Sequence, residues 1–153
     1  MSKRPDRATR ARSAARKYAL QALYQWQLTG QSAAELRNQY ATEEGFDGAD
    51  RDYFAAIVDG VTSGREALDE LLAGLVDRPV AQLDPIEHAV LLMGLFELRD
   101  QPEVPWKVAI NEGVDLAKRF GATDGHRFVN AVLDRAARTL RAAEQAAAAR
   151  ERA

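Results

Sequence analysis

Apolar residues recur along this chain at spacings of three and four, the mark of helices that bury one face, and one segment departs from that rule. From Ala89 to Phe96 the run AVLLMGLF is apolar nearly all round, bracketed by Glu87, His88 and Glu97. A helix of that kind has to be surrounded by others. Asp84 suits an N-cap, Pro85 suits the first helical position and Glu87 falls three residues after the cap, so independent start signals coincide. The run is shorter than the ~17 apolar residues a membrane span requires and longer than a typical buried strand. The pattern therefore predicts a central helix over 83–98 on which the remainder packs.

Around it the same periodicity predicts further helices. The first runs from near Ser13 to Leu28, with Ala15, Ala19, Ala22, Leu23 and Trp26 on one face and Thr29 and Gly30 stopping it. Ser32 and Glu35 form a capping box for a second helix that turns Leu36 and Tyr40 inward and fails around Gly45. Asp50 caps a third, carrying Tyr53, Phe54, Ile57, Val58 and Val61. Ser63 and Glu66 offer another box, so a break near Gly64 and a fresh segment with Leu68, Leu71, Leu72 and Leu75 are expected. Pro105 opens a helix whose stripe is Trp106, Ala109, Ile110, Gly113, Val114, Ala117 and Phe120. Gly113 there costs about 1 kcal/mol of helix propensity, which points to a close helix crossing. The last apolar helix starts after Thr123 or Asp124 and buries Phe128, Val129, Val132, Leu133, Ala136 and Leu140. Beyond Ala142 only alanine, arginine and glutamate follow, material for an exposed helix or a frayed tail.

These elements make an all-α protein, a compact single-domain bundle of about seven helices. Its 153 residues, 46% hydrophobic, match one domain with one core. The organisation expected is a flexible basic arm over 1–12, a helical domain over 13–142 and an Ala/Arg/Glu-rich tail over 143–153. With no cysteine, disulfides and thiolate metal sites are excluded. The start lacks the apolar core of a secretory signal and contains Asp6, so a cytoplasmic location is expected.

Charge changes the picture more than composition does. Residues 1–17 hold seven basic side chains against Asp6, a net of +6, and the other 136 residues carry −8. A basic arm on an acidic body fits a polyanion ligand combined with a separate protein contact. His88 and His126 are the only histidines and neither lies in a zinc-binding pattern; both read as polar surface or helix-end residues. No phosphate loop, dinucleotide fingerprint or nucleophile elbow occurs, so no cofactor and no catalysis are expected. Lysine and arginine neutralise phosphates, and aromatic rings stack on unpaired bases. Tyr24, Trp106 and Phe128 are candidates for stacking, although each also fits an apolar stripe. The polar junction from Gly121 to Arg127 leaves backbone amides and Asp124 available to a ligand.

The residues just described carry a family likeness. ALQALYQWQL at 19–28, AVLLMGLFEL at 89–98, VPWKVAINEGVDLAKRFG at 104–121 and HRFVNAVLD at 126–134 resemble the NusB family of bacterial transcription antitermination factors. The resemblance implies a non-enzymatic protein that binds single-stranded boxA RNA of ribosomal RNA leader transcripts together with ribosomal protein S10 (NusE), alongside other Nus factors and RNA polymerase. It places the RNA surface at Arg7, Arg10, Arg12, Arg16, Lys17, Tyr24, Trp106, Lys107, Asp124 and Phe128. It places the NusE surface at Leu75, Val76, Arg78 and Glu87, with Ala81 and Pro79 departing from the family pattern in the partner-facing turn. The basic residues of the start are spread out where some relatives have a compact arginine triplet. The fold also resembles the non-catalytic amino-terminal domain of a 16S ribosomal RNA cytosine methyltransferase, but no cofactor-binding portion follows, so the stand-alone factor is the better match. Some members form homodimers, and the sequence leaves that state open.

Overall fold

The structure, a computed structural model, describes residues 5–152. Eight α-helices and two short 3-10 turns occur among the described residues, and no strand. They are α1 (Arg7–Thr29), α2 (Ala33–Tyr40), α3 (Arg51–Ser63), α4 (Arg65–Ala73), α5 (Pro85–Asp100), α6 (Trp106–Phe120), α7 (Gly125–Leu140) and α8 (Ala142–Arg152). No helix among the described residues is long and apolar enough to cross a membrane. The helices fall into two units divided after Ser63.

In the amino-terminal unit α1 packs on α2, on α3 and on the 3-10 turn Phe46–Gly48. The helix begins at Arg7, not near Ser13, because Asp6 caps it: the Thr9 N–H donates to Asp6 Oδ1 at 2.7 Å. The donated hydrogen bonds hold the Asp6 carboxyl below its ordinary pKa. From Arg7 onward the basic arm is therefore helical, while Lys3 and Arg4 lie outside the described residues. Ser32 caps α2 as its box predicts, and Asp50 caps α3 through the Tyr53 N–H. An aromatic cluster fills the space between helices, with Phe46 edge-on to both Tyr18 (5.3 Å) and Phe54 (5.0 Å). The Tyr18 hydroxyl donates to the Glu44 carbonyl. Gly45 has φ 86°, and a Cβ there would stand 2.8 Å from that hydroxyl, so both backbone and space demand glycine.

The carboxy-terminal unit is assembled on α5, against which α4, α6 and α7 pack. Asp84 accepts from the Ile86 and Glu87 N–H groups, as its N-cap position predicts. Every residue from His88 to Leu98 is buried. His88 thus departs from the expected surface position: its Nε2 lies 2.6 Å from Asp69 Oδ1, and Asp69 in turn meets Arg65. Ser63 does not cap α4. Its hydroxyl donates instead to the Asp59 carbonyl and Gly64 takes the cap position, so the break falls where expected for a different reason.

Leu133 of α7 accounts for two glycines. A Cβ on Gly94 would approach its Cδ2 to 2.7 Å, and one on Gly113 its Cδ1 to 3.0 Å, so α5, α6 and α7 close around one leucine. At the end of α7, buried Arg141 caps α5 from outside: its guanidinium donates to the carbonyls of Leu98 (2.8 Å), Glu97 (3.1 Å) and Gln101 (2.9 Å). The carboxy-terminal residues continue as α8, anchored by this arginine.

Candidate nucleic-acid interface

The basic residues of α1 divide by helical phase. Arg10, Lys17 and Tyr24 occupy successive heptad positions, which an α-helix brings back to one face with a drift of only ~20°. With Arg7 they form an unburied stripe, cationic at its start and aromatic at its end, where Tyr24 is 37% exposed. Arg12 and Arg16 point elsewhere. Arg12 pairs with Asp50 at 3.7 Å and lies 4.3 Å from the centre of the Tyr53 ring. Arg16 is 3% exposed, with its guanidinium 5.2 Å from the same ring. In this conformation Arg16 is a packing residue and not a free phosphate contact, a correction that follows from α3 lying across that face of α1. The stem of an arginine covers apolar surface as readily as its head binds anions.

In the carboxy-terminal unit the remaining candidates sit on the starts of α6 and α7. Trp106 is half-buried and Lys107 exposed, with Lys107 Nζ 5.5 Å from the indole. Asp124 adopts the left-handed conformation (φ 67°) immediately before α7 and offers no side-chain cap. It lies 3.8 Å from Arg127. Phe128, one turn on, is half-exposed where the apolar stripe predicts burial, and the Arg78 guanidinium covers its ring at 4.5 Å. Phe120, also expected inward, is 37% exposed under Arg119.

Two of the residues assigned to the protein partner, Arg78 and Glu87, meet the same place. Leu75 and Val76 are half-exposed at the end of α4, where the Leu75 carbonyl accepts from Arg135. Glu87 is half-buried and not on a freely exposed side: its carboxylate lies against Gly125, where a Cβ would come within 2.9 Å of Cδ. Burial raises its pKa, Asp84 adds to the rise and Arg78 opposes it. Arg78 and Glu87 thus flank the start of α7, and the structure joins them to Phe128, which the sequence places on the other surface.

Two groups that shape this region were invisible in the sequence. The backbone N–H of Trp106 donates to Glu144 Oε2 at 3.2 Å, and Glu144 is held by Arg141 at 2.5 Å. The one available signal was an arginine directly after the last apolar residue, Leu140, with a glutamate three positions on. Asn111 and Asn130, the second group, line a cleft beside Trp106 and Lys107; as single amides on exposed helix positions they carry no pattern. Among the described residues no cluster of histidine and acidic side chains forms a metal site.

Known proteins share both the sequence and the fold that carry these surfaces. The NusB family pattern matches residues 13–138. The transcription antitermination protein NusB of Hahella chejuensis is 50% identical over 143 residues, covering 94% of this chain and 96% of that protein. The protein of the same name from Idiomarina loihiensis is 50% identical over 135 residues, covering 88% and 97%. A solved structure of NusB from T. maritima superposes with a TM-score of 0.74 over 90% of this chain and 94% of that one, at 22% identity, a likeness of fold.

Proposed function

Because the chain belongs to the NusB family, we propose that it is a transcription antitermination factor that binds the boxA RNA of ribosomal RNA leaders together with NusE, within a complex of other Nus factors and RNA polymerase. It acts by binding and not by catalysis. The observation that carries the RNA reading is the α1 stripe. Arg7, Arg10 and Lys17 are unburied on a rigid helix and lead to exposed Tyr24, the combination of charge and stacking surface that single-stranded RNA requires. Arg12 contributes its half-exposed edge, and the candidates of the second unit, taken by themselves, are Trp106, Lys107, Asp124 and Phe128.

Leu75, Val76, Arg78 and Glu87 form the NusE contact. Apolar area is flanked there by one cation and one half-desolvated anion, as in an interface with a charged rim. A three-component gel shift tests both halves of the proposal, using this protein, NusE and either boxA RNA or its scrambled counterpart. A ternary band specific to boxA is expected. Capture of NusE with no RNA shift, with or without NusE, would overturn the RNA reading and leave a protein-docking bundle.

A further inference from the structure

A cleft of about 230 Å³ lies between α6 and α7, lined by Trp106, Lys107, Ile110, Asn111, Asn130 and Asp134. It is smaller than the ~300–1,000 Å³ of sites that enclose drug-sized ligands, and suits one planar ring. We propose that this cleft takes a single unpaired nucleobase of the bound RNA and prefers a base with an exocyclic amine over uracil; the inference rests on the RNA-binding reading above.

The chemistry of the lining supports each part. Buried Ile110 supplies an apolar floor, and half-buried Trp106 an aromatic wall for stacking. Asn111 and Asn130 are exposed, and among the described residues neither amide is engaged in a hydrogen bond, so both retain donors and an acceptor for a base edge. Asp134 accepts from Arg138 through Oδ2 at 3.1 Å, which leaves Oδ1 to accept from an amine. Uracil offers no amine. Lys107, at the rim, places a cation where the flanking phosphate would run.

The backbone that carries this wall is also held in place. Glu144 accepts from the backbone N–H of Trp106, and Arg141 ties Glu144 to the end of α5, so the first turn of α6 is fixed before any ligand arrives. A prepared site binds more tightly because less ordering remains to be done.

The test walks single abasic substitutions along boxA RNA and measures affinity for the wild-type protein and for Asn111→Ala, Asn130→Ala and Asp134→Asn, with thermal melts confirming that each variant is folded. One abasic position should weaken wild-type binding about tenfold, equivalent to about 1.4 kcal/mol. Asn130→Ala should lose the same factor on intact RNA and nothing further on that abasic RNA. The salt dependence should stay unchanged, since every phosphate partner is still present. At the same position Asp134→Asn should lose the discrimination against uracil. Asn130→Asp, of the same shape but with the donors removed, should bind as weakly as Asn130→Ala. Wild-type binding with all three alanine and asparagine variants unaltered, or losses equal at every abasic position, would overturn the base cleft alone. A wild type that ignores RNA would overturn the parent reading with it.

Discussion

Arg16 and Lys17 are neighbours in sequence with opposite fates. A helix turns about 100° per residue, so one faces Tyr53 and is buried while the other lies on the open stripe. Charge reduction at Arg10 or Lys17 should therefore shallow the salt dependence of RNA affinity by about 0.7 in the log–log slope for each phosphate no longer neutralised. Arg16→Ala should leave that slope alone and lower thermal stability by roughly 1–3 kcal/mol through poorer packing. Titration of boxA RNA at several salt concentrations, beside thermal melts, separates the two. Equal slopes for wild type and the Arg10/Lys17 double variant would remove the stripe from the interface.

Helix ends and crossings belong to the scale of the element. Asp6 extends α1 over Arg7 and Arg10; Asp6→Ala should fray that turn, read as faster amide exchange over residues 9–12, with the rest of the helix protected as before. At the crossing of α5, α6 and α7, fully buried Leu133 is confined by Gly94 on one side and Gly113 on the other, so it has no room to withdraw. Gly94→Ala should cost about 1–3 kcal/mol by overpacking. Combining it with Leu133→Val, which lacks the offending δ carbons, should cost less than the two changes added together. A chemical-denaturation double-mutant cycle measures that coupling, and strict additivity would contradict the contact.

For the whole molecule, the start of α7 matters most because residues assigned to two partners converge there. With Arg78 stacked on Phe128, Arg78→Ala should weaken capture of NusE and also change RNA affinity measured without NusE; an effect on NusE alone would show that the stacking does not shape the RNA surface. Glu87 adds a pH dependence. Its raised pKa means that the folded protein holds the proton more tightly than the unfolded chain. Acidification from the raised value toward the ordinary 4.5 therefore adds stability, and deprotonation above it removes stability. Glu87→Gln should raise the neutral-pH melting temperature, abolish that increment across a pH series and weaken NusE capture. A lower melting temperature at neutral pH would mean that the charge is stabilised in place.

Local patterning determined most of the architecture. The all-helical class, the central helix with its Asp84 and Pro85 start, the caps at Ser32 and Asp50 and the close crossing at Gly113 all follow from residue spacing and from backbone groups a few positions apart. Tertiary structure decided which polar side chains are taken up inside the protein. Arg16, His88 and Arg141 are drawn inward by Tyr53, Asp69 and the carbonyls ending α5, partners 19 to 44 residues away in sequence for the last two. Periodicity reports the direction in which a side chain leaves its own helix; what waits in that direction depends on chain segments that only folding brings near.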